Sequence, residues 1–423
     1  MSKLEKQLAS CLLKRSDRSQ LRKLTTIPSS NVDFSSNAYL SLSSIPSLIS
    51  DYHALLQNRP SLGSGGSRLL DGNSSFAQDL EQDIAAFHNA PAGLLFNSGF
   101  DANVGIVSCL PQVGDVIIYD ELIHASAHDG MRLSRAARKI PFKHNCVYGE
   151  GGLHHVLAGL EEETLVFILV EAVYSMDGDV APLRDIVSCV QSRLAGNGYI
   201  IVDEAHSTGI YGQQGQGLVC ELGLEKDIFA RLHTFGKAMS SFGAIVLCSS
   251  ITKEYLINYA RTLIYTTALP FSCLASISVS YQYLQGGLID ARITHLWDLV
   301  AHAHKLLLSL TSTTTLVRVN EEPKSPIIPL FTSQPRSLAQ FCQERGYTIR
   351  PIVAPTVPRG SERVRICLHA GNTVAEVEGL IGIVGEWVRL QEGAVARLNK
   401  MEKRGFACPD TDSGVSAAAS DER

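Results

Sequence analysis

Five apolar runs between residues 91 and 250 most constrain what this chain can fold into. They are "AGLLFNSG", "DVIIYDE", "TLVFILVEAV", "GYIIVDEAH" and "GAIVLCSS", with helical or loop text between them. Runs this continuously apolar suit strands whose two faces are both covered. That places helices on either side of a largely parallel sheet. The expectation is an α/β fold with a large three-layer domain built on a mostly parallel sheet. In such sheets, chemistry gathers beyond the carboxyl ends of the strands. Asp120, Glu171, Asp203 and His206 fall at those ends.

The rest of the chain sorts around this sheet. Residues 1–45 read as an N-terminal helix and an extended arm ending in "NVDFSSNAYLSL". "PSLGSGGSRLLDGN" holds too many glycines for a helix or strand and reads as loop. Phe76, Leu80, Ile84 and Phe87 then recur at helical spacing. Residues 252–315 are helical in pattern. "TTTLVRV", "SPIIPLFT", "YTIRPIV" and "VRICLHA" read as strands of a smaller C-terminal α/β domain, followed by a helical stretch. The expected division is residues 1–45 as helix and arm, 46–285 as the large domain and 286–403 as the small domain. Residues 404–423, small and polar, are expected to be disordered.

Composition removes several function classes. With 423 residues, 45% apolar and 19% charged, the chain suits a large core or a sizeable subunit interface. The 37 basic residues are outnumbered by 42 acidic ones and form no block, which argues against nucleic acid as a partner. No apolar run is long enough for a membrane span. The N-terminal text lacks a signal-peptide core, so a cytoplasmic location is expected. A mitochondrial alternative, from its Arg, Lys and Ser content, is opposed by Glu5 and Asp17. The ten cysteines form no CxxC pair and read as reduced.

"IIVDEAHSTG" resembles a helicase box in its letters, but the phosphate-binding loop that a helicase needs is missing from the sequence. The alternative is a strand that delivers Asp203 and His206 to one ligand, with Lys237 of "HTFGKAMSS" before the next strand. A lysine near a core usually reaches out to solvent. One held inside loses charge and becomes a nucleophile. An aspartate against a pyridine nitrogen, plus a Schiff-base lysine, is what pyridoxal phosphate chemistry needs.

His124 and His128 in "DELIHASAHDG" are four apart, near Asp120, Glu121 and Asp129. No H-E-x-x-H or cysteine cluster supports a metal, so a packed or stacking histidine is the better reading and no metal is expected. In "EAVYSMDGDVAPL", Asp177 and Asp179 lack calcium-loop spacing and are read as shaping a turn. "FNSGFDANVG" leads from a strand into a helix N-terminus, which suits a phosphate. Arg363 and Arg365 share one strand face, where one could pair with a carboxylate.

These segments, with "YTTALP" and "PTVPRGSERVRICL", stand in an order and spacing that closely resembles the α-oxoamine synthases. That is a family of fold-type I pyridoxal phosphate enzymes, and the resemblance covers about residues 30–375. It implies roles for individual residues. Lys237 would be the Schiff-base lysine, Asp203 the partner of the pyridine nitrogen, and His206 the partner of the phenolic oxygen, with Ser175 nearby. His124 would stack on the ring. Gly99, Phe100 and Thr234 would meet the phosphate, and Thr266 or Thr267 the phosphate in a partner subunit, which implies a homodimer with shared active sites. Arg365, with Asn37, would hold the amino-acid carboxylate. Arg22 would meet the far carboxylate of the acyl chain.

The implied reaction is decarboxylative condensation of an amino acid, L-alanine favoured, with an acyl-CoA, pimeloyl-CoA favoured. The acyl carrier could also be a protein. Ala38, Ser41 and Ser207 depart from the family pattern, and Gly236 stands where relatives often carry serine. They leave open a secondary-metabolic synthase using another amino acid or a polyketide or fatty acyl thioester. An inactive structural paralogue ranks last, because Lys237 and Asp203 are both retained.

Overall fold

The computed structural model describes residues 1–18, 20–58, 62–161 and 164–403. The expected tail, residues 404–423, lies outside them. Short strand β1 (Val32–Asp33) belongs to the N-terminal arm. The apolar runs form β2 (Ala92–Phe96), β3 (Val116–Asp120), β5 (Val166–Glu171), β6 (Gly198–Asp203) and β8 (Ala244–Cys248). Two more strands join them, β4 (Arg138–Phe142) and β7 (Ala230–Thr234). The sheet order is β2-β8-β7-β6-β5-β3-β4, parallel throughout except for β8, which runs against both neighbours.

Alternate residues of the inner strands enter opposite cores, which is why those strands carry no polar face. Val166, Ile168 and Val170 join the core that includes the helix Ser75–Phe87. Phe167 and Leu169 join the other core, with the helix Gly99–Cys109. Helices therefore cover both faces, and the three-layer expectation is met. The spacing of Leu80, Ile84 and Phe87 is likewise explained, since all three are buried on one helix face.

The second sheet is antiparallel, in the order β11-β12-β9, from β9 (Ile327–Phe331), β11 (Arg350–Ile352) and β12 (Arg363–Cys367). The helix Pro335–Gln343 packs beside it, and the helix Val374–Lys403 packs on that helix. "TTTLVRV" was expected as a strand, but only the isolated bridge Arg318–Phe331 forms there. β10 (Tyr347–Thr348) pairs in parallel with β1. This pairing carries the arm across to β12, where Cys367 N donates to Phe34 O at 2.9 Å. Asn37 and Tyr39 are thereby brought over the carboxyl ends of the large sheet. Among the described residues, no helix is long and apolar enough to cross a membrane.

Candidate active site

The antiparallel hairpin of β7 and β8 explains where Lys237 sits. Its loop closes through Phe235 N to Gly243 O at 2.9 Å and Ser241 N to Phe235 O at 2.8 Å. Lys237 is held in this loop at the strand ends, partly buried. Burial lowers its pKa to about 8, although Asp203 and Glu171 pull it upward; Arg365 adds to the lowering. A group that ordinarily holds its proton above neutrality thus becomes an amine able to act as base or nucleophile.

Asp203 ends β6, opposite Glu171 at the end of β5. Its two oxygens are both held: Oδ2 accepts from Asn103 Nδ2 at 2.7 Å, and Oδ1 from Ala205 N at 2.9 Å. Asn103 also donates to Ser126 Oγ at 3.0 Å. Ser126 Oγ lies 2.7 Å from His124 Nδ1, which accepts from Ser126 N at 3.2 Å. With Nδ1 an acceptor, a neutral His124 carries its proton on Nε2. Burial keeps the ring neutral, against the pull of Asp203, and Lys237 adds to this. Glu171 is buried beside Asp203, and burial first, then that charge, raises its pKa far above the usual carboxylate range.

His206 follows on the loop after β6, and its Nδ1 lies 2.7 Å from the hydroxyl of Tyr39. Burial, then the nearby Lys237 and Arg365 charges, depress its pKa well below the ordinary value, so this imidazole is neutral. Arg365, on β12, donates to Asn37 Oδ1 at 2.9 Å, while its Nε is buried without a partner. Arg363 on the same strand is spent differently. It pairs with Asp177, donates to Ser361 O at 2.9 Å and lies over the Phe331 ring. The two arginines therefore separate, one tied to a turn and one with a donor still free.

Gly99 opens the helix Gly99–Cys109, capped by Ser98, and a Cβ added there would lie 3.5 Å from Thr234. Thr234 and this helix start thus adjoin. Phe100 beside them is exposed. Thr266 and Thr267 are bonded to Asn97, three positions before Phe100, at 3.1 and 2.7 Å. Outward from His124 and Ser175 opens a cleft of about 1270 Å³. Its walls include Arg22, His128, His144, Met176, Val357 and Arg359.

The structure therefore brings Lys237, Asp203, His206, His124 and Arg365 into one electrostatically coupled group, with Asn37 on the arginine. Ser175 and Arg22 lie along the cleft. The donors fit pyridoxal phosphate. They comprise a lysine amine near neutrality, a carboxylate fixed at both oxygens, a helix N-terminus, and an orphaned buried Arg365 Nε suited to a substrate carboxylate. Among the described residues, no group of three or more His, Cys, Asp or Glu side chains is placed to hold a metal. Sequence reasoning did not single out Tyr39, Asn103, Ser126 or His144.

Residues 29–384 match the aminotransferase class I and II family. An 8-amino-7-oxononanoate synthase from Emericella nidulans is 53% identical, over 93% of this chain and 98% of its own length. An aminoacyl transferase, sphA, from Byssochlamys spectabilis is 35% identical, over 89% of this chain and 86% of its own. A solved serine palmitoyltransferase from S. paucimobilis with bound PLP–myriocin is 26% identical. It superimposes with a TM-score of 0.81 over 92% of this chain and 99% of that one.

Proposed function

The chain belongs to the α-oxoamine synthase family of fold-type I pyridoxal phosphate enzymes, and on that premise we propose that it condenses L-alanine with pimeloyl-CoA. The products would be 8-amino-7-oxononanoate, coenzyme A and carbon dioxide. The observation that carries the reading is a shared residue. His124 belongs to the buried, electrostatically coupled group with Lys237 and Asp203 and also lines the cleft whose walls include Arg22.

When bound, the cofactor supplies an electron sink for charge developing at the amino-acid α-carbon. The chain's own residues do the rest. Lys237 Nζ would hold the cofactor's aldehyde and, as a free amine, would be the group that moves the α-proton. Asp203, fixed by Asn103 and Ala205, would hold the ring nitrogen and favour its protonated form. His206 and Ser175 would hold the cofactor's phenolic oxygen and His124 its ring. Gly99, Phe100 and Thr234 would hold the phosphate at the helix N-terminus. Arg365 and Asn37 would clamp the amino-acid carboxylate and orient it for loss as carbon dioxide, the bonding electrons passing to the cofactor's electron sink. Arg22 receives the far carboxylate of the acyl chain.

We also infer a homodimer, with Thr266 or Thr267 reaching the partner's phosphate. Supporting this are the exposed Phe100, Phe242, Tyr265 and Leu70. Each lies next to a loop joined to the phosphate end: Tyr265 precedes Thr266, Phe242 precedes Gly243, and Leu70 follows the Gly66 carbonyl that receives Ala268 N.

The test has two readouts. Purified protein should show the cofactor's visible absorbance band, absent in Lys237→Ala. L-Alanine with pimeloyl-CoA should release coenzyme A. A band that persists in the variant would sink the role of Lys237. No release with this pair, but release with another amino acid or acyl thioester, would reject these substrates.

A further inference from the structure

His144 lies outside the group around Lys237, yet it lines the cleft and both of its ring nitrogens are engaged. Its Nδ1 lies 2.8 Å from Asp120 Oδ1 and its Nε2 2.6 Å from Asp179 Oδ2. An ionised carboxylate only accepts, and a neutral imidazole has one N–H. Asp120 Oδ1 also accepts from Leu122 N, and Asp179 Oδ2 from Asn145 Nδ2, but both close contacts to the ring are hydrogen bonds together only when both ring nitrogens carry protons. Burial opposes that charge, but the bonds to Asp120 and Asp179 overcome it and raise the pKa to about 10.

The groups around the ring come from three elements. From the end of β3 comes Asp120, whose Oδ1 also accepts from Leu122 N at 2.9 Å and whose Oδ2 accepts from Asn145 N at 2.8 Å. From the run after β3 comes Glu121, which accepts from His144 N at 3.0 Å. From the turn after β5 come Asp179 and Tyr174, whose ring meets His144 edge-on at 4.5 Å. The same turn carries Asp177, paired with Arg363 on β12. Three walls of the cleft, residues 121–124, 174–179 and β12, are thus joined through one imidazolium and one arginine.

We propose that His144, bridging Asp120 and Asp179 as an imidazolium, is a positioning residue that sets the shape of the cleft and thereby governs acyl-thioester binding. It does not take part in the proton chemistry at Lys237. This rests on the reading of the cleft as the thioester site. His144 serves by fixing the Ser175 turn against the run that carries His124. Its polar contacts run to Asp120, Asp179, Glu121 and Asn145, and none to Lys237, Asp203 or His206.

The experiment uses the holoenzyme as wild type, His144→Gln and Asp179→Asn, with coenzyme A release measured against pH. His144→Gln should raise the pimeloyl-CoA KM about tenfold, the equivalent of ~1.4 kcal/mol, with the alanine KM and the cofactor band unchanged. In wild type the thioester KM should stay flat until pH approaches the imidazolium's own limit. Asp179→Asn removes one of the two carboxylates and should bring that limit to lower pH. An unchanged thioester KM in His144→Gln, a defect confined to alanine or cofactor, or an unmoved limit in Asp179→Asn would overturn the proposal.

Should His144→Gln fail to fold, Asp179→Asn and nitrogen NMR of the wild-type ring decide the matter. Two protonated ring nitrogens near pH 8 support it, and one overturns it. No coenzyme A release from wild type would defeat the reaction assigned above, and the ring-nitrogen readout would then still decide the bridge.

Discussion

Two histidines, His206 and His144, differ in protonation, one neutral and one cationic, for reasons that separate the buried group around Lys237 from the cleft. His206 faces a tyrosine hydroxyl and stands near Lys237 and Arg365, so burial and neighbouring positive charge both strip its proton. His144 faces two carboxylates, and burial is outweighed. In the pocket, desolvation decides protonation and leaves bases ready to move protons. In the cleft, paired charge decides it and leaves a rigid wall. The same side chain becomes a neutral hydrogen-bonding group in one place and a fixed cation in the other.

The sharpest break of this contrast comes from the pocket. Lys237→Ala should remove the visible band and cut turnover by at least ~10²–10⁴-fold, the usual worth of a positioned acid–base group. Steady-state release of coenzyme A measures it. Asp203→Asn comes next. The exchange removes the charge that holds the ring nitrogen's proton while keeping the side chain's shape, and turnover should fall on the order of 10²-fold with the cofactor still bound.

Asn103→Ala probes the layer behind. It removes the donor to Asp203 Oδ2 and the link to Ser126 and His124. Leaving a buried acceptor short costs about 1–3 kcal/mol. Cofactor affinity, followed by titration of the apoenzyme, should fall accordingly, and a change below twofold would count against the network.

Two pH effects are smaller and have opposite origins. Lys237 titrates at about 8 rather than at the ordinary lysine value, so apoenzyme should capture cofactor faster as pH rises through that point. A capture rate still climbing only near pH 10 would contradict the burial argument. For His144 the folded pKa is raised, to about 10. Its stabilisation is therefore complete below the unfolded histidine pKa of ~6.5 and is lost as pH rises through the folded value. Wild type should thus lose more stability between pH 7 and 10 than His144→Gln does, measured by denaturant midpoint.

Much of this was legible in the sequence. The buried strands β2, β3, β5, β6 and β8 announce themselves because both faces are apolar. β4 does not, since as an edge strand it exposes Arg138, Lys139 and Pro141. β7 was hidden by Arg231 and His233, buried polar residues that bond His88 O and Thr208 Oγ1. The antiparallel direction of β8 leaves no mark, because hydrophobic pattern carries no polarity along the chain. In the site, Lys237, Asp203 and His206 stand at strand ends where topology points. Tyr39 and Asn103 do not, because their partners, His206 and Asp203, lie 167 and 100 residues away. His144 needed Asp120 and Asp179 brought together by the fold before its two nitrogens meant anything.

The most direct test of the division between pocket and cleft is α-hydrogen exchange of L-alanine in heavy water, run without any acyl thioester. Wild type and His144→Gln should exchange the hydrogen at similar rates, and Lys237→Ala should not exchange it. Exchange that survives in Lys237→Ala, or that fails in a fully loaded His144→Gln, would contradict the account.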